Sequence, residues 1–123
     1  MFHRSIQGTD LPADSHMLRR CAAISHARLE TTGRGLGAAK IDDRIRHFLE
    51  VDILYQTQSE GLPMDIASRR TLSAMHALSS LYQTRMRANI AKGAHPWEGD
   101  HLLERDFRTC NRLFEDGKVT PRA

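Results

Sequence analysis

The stretch MDIASRRTLSAMHALSSLYQTRMRANIAK, residues 64–92, decides the fold that we predict for this chain. It contains no glycine and no proline, and large apolar side chains recur in it every three or four residues. They are Leu72, Met75, Leu78, Tyr82, Met86 and Ile90. Because an α-helix has about 3.6 residues per turn, these side chains share one face. The stretch therefore predicts one long amphipathic helix.

Three further segments show the same periodicity, over residues 15–31, 38–58 and 101–116. Their predicted buried faces are Leu18, Cys21, Ala22, Ser25 and Leu29; Ile41, Ile45, Phe48, Leu49 and Tyr55; and Leu102, Leu103, Phe107, Cys110, Leu113 and Phe114. Asp65 and Asp100 are predicted to cap the third and fourth helices. Short connections between amphipathic helices favour an all-α fold, a small antiparallel bundle of about four helices with one long central helix.

Length and composition set the domain organisation. A chain of 123 residues with 40% hydrophobic and 27% charged residues is typical of one globular domain. We expect a single helical domain over residues 14–117, a flexible N-terminal arm over 1–13 and a C-terminal tail over 118–123. No apolar run approaches the roughly 20 residues that span a bilayer, and the N-terminus lacks a secretory signal. We therefore expect a cytoplasmic protein with no membrane partner.

The two cysteines, Cys21 and Cys110, lie far apart in the sequence and outside any CxxC spacing. Two cysteines are too few for a disulfide framework. Each falls on the apolar side of its predicted helix, so we expect two buried free thiols that pack as small hydrophobic side chains.

Three glycines, Gly33, Gly35 and Gly37, connect the first two predicted helices. Glycine-rich phosphate loops follow a β-strand, and the Walker type carries a Lys-Ser/Thr pair at fixed spacing. Here the glycines follow a predicted helix and no such pair is present. The sequence favours a flexible interhelical connection over a phosphate loop.

The long helix is basic, because it has five basic residues against Asp65 alone. They are Arg69, Arg70, Arg85, Arg87 and Lys92. Such a helix can bind an anionic partner such as nucleic acid, or the acidic segment 41–63 of the same chain.

A strip of small residues lies opposite the apolar face of this helix. The predicted binding face consists of Arg69, Ser73, His76, Ala77, Ser80, Thr84 and Arg87, and the strip continues to Ala91. Small side chains let another helix or a sugar–phosphate backbone approach closely. The face could therefore be a protein interface, a nucleic-acid groove, or a solvated surface without a binding role.

Two aspartates fall on apolar helix faces within similar stretches, HFLEVD ending at Asp52 and HLLERD ending at Asp106. A buried carboxylate is costly unless it is paired, hydrogen-bonded or bound to metal. We favour pairing with an arginine or a tyrosine hydroxyl over a metal site, since di-metal bundles use inward-facing Glu and ExxH groups.

No nucleophile, GxSxG or SxxK motif is present, so we predict no catalytic residue, no cofactor and no resident metal. The sequence favours a non-enzymatic accessory or regulatory protein that acts through protein–protein contacts as a homodimer. The alternative is a basic nucleic-acid-binding protein, and a carboxylate metal site in the bundle core ranks third.

Overall fold

The computed structural model describes residues 15–33, 35 and 37–115 of the chain, and it confirms the all-α prediction. The helices are α1 (Ser15–Thr32), α2 (Ala38–Ser59), α3 (Met64–Ala91) and α4 (His101–Glu115). No strand occurs in these residues. The predicted arm over residues 1–13 and tail over 118–123 lie outside them.

Gly61 and Pro63 form the sharp boundary between α2 and α3. Gly61 adopts a φ of 71°, in the left-handed region that favours glycine, and the Leu62 amide then donates to the Gln56 carbonyl at 3.1 Å. Pro63 is the N-cap of α3, and no side chain caps this helix. The prediction of Asp65 as the cap is therefore wrong. Asp65 lies in the first turn, where the helix dipole favours a carboxylate.

The cap predicted for α4 is confirmed. The Asp100 carboxylate accepts a hydrogen bond from the Leu103 amide at 3.1 Å, as an N-cap aspartate does. The preceding loop is tied back to α3, because the Asn89 side chain donates to the Pro96 carbonyl at 2.7 Å. The start of α4 is thus fixed relative to the end of α3.

The helix with the most enclosed side chains is α1. Its buried residues are Leu18, Cys21, Ala22, Ala23, Ile24, Ser25, Ala27 and Leu29. They surround the helix axis, so α1 packs against each of the other three helices, while α2 and α3 also pack on each other and α4 contacts mainly α1. The longest helix is α3, with 28 residues. The arrangement is compatible with an antiparallel bundle.

The core-facing line of α3 differs from the predicted one. Its buried residues are Ala67, Thr71, Met75, Ser79, Tyr82 and Met86. Leu72 and Ile90 remain 43% and 40% exposed, so their predicted burial is wrong. The reason is polar pairing, since Thr71 and Ser79 face the core, where they hydrogen-bond to side chains of α2 and α1.

A disulfide joins Cys21 of α1 to Cys110 of α4, across a sequence separation of 89 residues and a Cα–Cα distance of 5.4 Å. The prediction of two free thiols is therefore wrong. Both cysteines do lie on buried helix faces as expected, but only the packing of α4 on α1 brings them together. Cysteine spacing in the sequence carries no information about that contact.

Candidate functional site

The first buried polar cluster surrounds Asp52, whose side chain is fully buried on α2. Arg19 of α1 donates from Nε to Asp52 Oδ2 at 2.8 Å, and the Thr71 hydroxyl of α3 donates to the same oxygen at 2.6 Å. Gln56 donates to Asp52 Oδ2 at 3.2 Å and to Thr71 Oγ1 at 2.5 Å. One carboxylate therefore connects three helices.

The second cluster surrounds Asp106 on α4, which is 2% exposed. Arg20 donates from Nη2 to Asp106 Oδ2 at 2.6 Å, and the Tyr82 hydroxyl donates to the same oxygen at 2.7 Å. The hydrogen bond to Asp106 is the largest cause that raises the pKa of Arg20. Burial is the largest cause that raises the pKa of Tyr82, to about 12. This cluster joins α1, α3 and α4.

These contacts correspond to the arginine and tyrosine pairing that the sequence favoured for both aspartates. Neighbouring residues of α1, Arg19 and Arg20, each take one carboxylate, so the two aspartates do not form a shared site. Among residues 15–33, 35 and 37–115, no group of three His, Cys, Asp or Glu side chains could hold a metal ion. The geometry is that of structural ion pairs.

Arg19 and Arg20 are the partners that sequence reasoning missed, since periodicity placed them on the polar side of α1. Their side chains are only 18% and 22% exposed. The available signal was that the two adjacent arginines stand directly between Leu18 and Cys21, two residues of the predicted buried face. Long arginine stems can reach inward from a helix flank, so an outward position does not exclude a buried charge partner.

The outward face of α3 carries the predicted binding residues. Arg69, Ser73, His76, Ala77, Ser80, Thr84 and Arg87 are all exposed. The structure places them along one side of the helix and leaves that side uncovered by the described residues. His76 also lies edge-on to His26 of α1, with 5.3 Å between ring centroids.

The basic residues of α3 do not pair with the acidic segment 41–63 within the described part of the chain. Arg85 instead forms a two-pronged ion pair with Asp100, with both distances at 2.9 Å. The Arg85 hydrogen bond is the main cause that lowers the pKa of Asp100. Arg69, Arg70, Arg87 and Lys92 are exposed and form no ion pair with a described residue.

Large apolar side chains are exposed on the same helix. Among the described residues, the exposed large hydrophobic side chains are Met64, Ile66, Leu72, Leu81 and Ile90, and all of them belong to α3. Leu81 is the most exposed, at 66%. The concentration of such residues on one helix marks a candidate interaction surface.

None of the four helices has, over its described residues, an apolar stretch long enough to cross a bilayer. Comparisons of the chain with protein-family models, with curated proteins and with solved structures found no match.

Proposed function

We propose that this protein is a non-enzymatic interaction module that self-associates through the outward face of α3. One observation carries the proposal: every large hydrophobic side chain that is exposed in the described residues lies on this helix. Isolated exposed apolar residues are ordinary, but a concentration on one element favours contact with another protein surface.

The distribution of side chains around α3 supports close packing of a second helix. At about 100° per residue, the strip of Ser73, Ala77 and Ser80 lies in the middle of the exposed side. Leu81 borders the strip on one edge. Leu72 and Ile90 border the strip on its other edge, about five turns apart along the helix axis. Small central side chains permit a close approach, and the flanking apolar side chains would be buried by it.

Sedimentation equilibrium over a concentration series tests this proposal. We expect the wild-type protein to be a dimer and Ala77→Arg to be monomeric, because a long charged side chain cannot fit a close helix–helix contact. The matched control is Ala39→Arg, which makes the same change at an exposed alanine of α2. A wild-type protein that is monomeric at about 0.1 mM would overturn self-association, since specific contacts form below this range.

A cytoplasmic location remains a prediction, and the Cys21–Cys110 disulfide argues for an oxidising compartment instead. Rapid acid quenching of cells followed by thiol alkylation distinguishes the two. Protein that takes up two alkyl groups without reductant would support a reducing compartment, and protein that takes up none would support an oxidising one.

Nucleic-acid binding is the second candidate, and it is supported by the exposed basic residues of α3. Arg69 and Arg87 lie on one line of the helix, and neither pairs with an acid among the described residues. Unpaired cations along an exposed helix can contact phosphates, which makes affinity depend steeply on salt.

Fluorescence anisotropy with duplex DNA and with RNA across a salt series tests this candidate. The double change Arg69→Ala and Arg87→Ala should weaken binding and reduce the slope of log affinity against log salt by about two. Arg108→Ala, at an exposed arginine of α4, is the control. Equal slopes for the double variant and the wild type would exclude this face of α3 as the nucleic-acid-binding surface.

A further inference from the structure

A cavity of about 800 Å³ lies between α1, the start of α2 and α4, on a different part of the molecule from the outward face of α3. Ser25, Arg28 and Lys40 contribute polar groups to its wall, and Ile41, Phe107 and Phe114 contribute apolar ones. Small-molecule sites fall in this size range and combine apolar walls with a few polar groups. The cavity has room for an organic ligand of moderate size.

The N-terminus of α2 opens onto this cavity. Gly37, which lines it, is the N-cap residue with a φ of 89°, and no side chain caps the helix. The amides of Ala39 and Lys40 have no carbonyl ahead of them within the helix. The amides at a helix start and the helix dipole together favour an anion at this position.

Ser25 supplies an independent indication of a ligand. It lines the cavity and is 7% exposed, yet its hydroxyl forms no hydrogen bond with any described residue. Its Oγ atom is not among the buried unpaired side-chain atoms of the described residues, which are Asp52 Oδ1 and Gln56 Oε1, so the hydroxyl reaches the open space of the cavity. A hydroxyl donor on the cavity wall without a protein partner is suited to an acceptor oxygen of a bound molecule.

The charges around the cavity also favour an anion. Arg28 lies over the Trp97 ring at 5.4 Å, and neither Arg28 nor Lys40 forms an ion pair within the described residues. The wall has two carboxylates: Asp43 is paired with Arg46 at 2.6 Å, and Glu115 lies 4.0 Å from Arg44. These positive partners offset both negative charges, so the charged wall groups without an ion-pair partner among the described residues are Arg28 and Lys40.

We infer that this cavity binds a small organic phosphate. The phosphate group lies at the start of α2, where it accepts hydrogen bonds from the helix amides, Lys40 and the Ser25 hydroxyl, with Arg28 beside it. The organic part packs against Phe107 and Phe114. Gly37, the last glycine of the connection, therefore contributes to the phosphate site as the N-cap of α2. Known phosphate loops follow a β-strand, whereas this connection follows the helix α1.

Calorimetric titration with AMP, adenosine and inorganic phosphate at constant ionic strength tests the inference. We expect AMP to bind more tightly than inorganic phosphate, and adenosine to bind least, because the anion provides the main contacts. Lys40→Gln should weaken AMP binding about tenfold, the loss typical of one hydrogen bond to a charged group. Arg108→Gln, at an exposed arginine of α4 that does not line the cavity, should leave it unchanged.

A second pair of variants tests the Ser25 hydroxyl. Ser25→Ala should weaken AMP binding, while Ser59→Ala, at the exposed last residue of α2, should not. Absence of AMP binding at about 1 mM would overturn the inference, since this corresponds to barely 4 kcal/mol of binding free energy. Equal binding by the wild type and Lys40→Gln would also overturn it. Ala77→Arg should retain AMP binding, so the outcome is independent of self-association.

Discussion

Arg19 and Arg20 are neighbours in the sequence, yet they stabilise two different parts of the molecule. Arg19 binds Asp52 of α2, and Arg20 binds Asp106 of α4. Successive residues of a helix point about 100° apart, so one dipeptide of α1 can serve two sides of the bundle. The α1–α2–α3 region and the α1–α4 region are thus built around equivalent ion pairs.

The two regions differ in what surrounds the ion pair. Around Asp52, three helices pack on one another, and the carboxylate also binds Thr71 and Gln56. Asp52 Oδ1 and Gln56 Oε1 are buried and have no hydrogen-bond partner among the described residues. This region therefore depends on apolar packing to offset the cost of imperfectly satisfied polar groups.

In the α1–α4 region the packing surface is smaller, since α4 has 15 residues and contacts mainly α1. Here the disulfide lies beside the ion pair, because Cys21 follows Arg20 and Cys110 lies one turn after Asp106. A short helix with one main neighbour is held by a covalent bond and a charge pair. Packing area and cross-linking therefore substitute for each other in this fold.

Loss of the disulfide is the strongest test of that difference. The double variant Cys21→Ala and Cys110→Ala should lose about 4 kcal/mol of unfolding free energy, because the bond closes a long loop in the unfolded chain. Trp97 packs against Phe107 of α4 at 5.0 Å between ring centroids, so its fluorescence reports on α4. In urea we expect this signal to change before the helical circular dichroism signal. If the fluorescence and circular dichroism transitions of the variant coincide and lie at the same urea concentration as in the wild type, the stability of α4 does not depend on the disulfide.

Removal of the Asp52 carboxylate tests the other region. Asp52→Ala leaves Arg19 partly buried without its partner, and we expect a loss of about 3 kcal/mol, as for other broken buried pairs. Asp43→Ala is the control, because Asp43 and Arg46 form an exposed pair with more than half of each side chain in solvent. The control should change unfolding free energy by less than about 1 kcal/mol in urea titrations. Similar losses for both variants would contradict the structural role of the Asp52 cluster.

Tyr82→Phe gives the smallest effect and refines the description of the Asp106 cluster. It removes the hydrogen bond from the Tyr82 hydroxyl to Asp106 and the long one, at 3.4 Å, that the hydroxyl accepts from Arg20 Nε. Arg20 still pairs with Asp106, so we expect a loss of about 1 kcal/mol at neutral pH. The measurement is again the midpoint of urea unfolding.

The same variant has a predicted pH dependence. Burial raises the pKa of Tyr82 from 10.0 to about 12 in the folded protein. Between these values the unfolded tyrosine loses its proton while the folded one keeps it, so wild-type stability falls as pH rises through this range. Tyr82→Phe should show a smaller fall. Absorbance titration of phenolate should likewise show one late-ionising tyrosine fewer in the variant than in the wild type.

Local sequence determined the helices of this protein. Each predicted boundary agrees with the structure to within about one residue in the described range, and the Asp100 cap is where it was expected. Helix periodicity, glycine and proline positions and capping all act within a few residues, so they can be read along the chain. The same periodicity placed Asp52 and Asp106 among apolar residues.

Tertiary structure decided which side chains meet. The Cys21–Cys110 bond, the inward position of Thr71 and the cavity around Ser25 all depend on how the helices are rotated and crossed relative to one another. Helical periodicity fixes the rotation of a helix about its axis only to within about one residue position. A shift of this size places Thr71 in the core where the sequence predicted Leu72. Contacts between residues far apart in the chain arise only when packing and polar pairing fix the rotation.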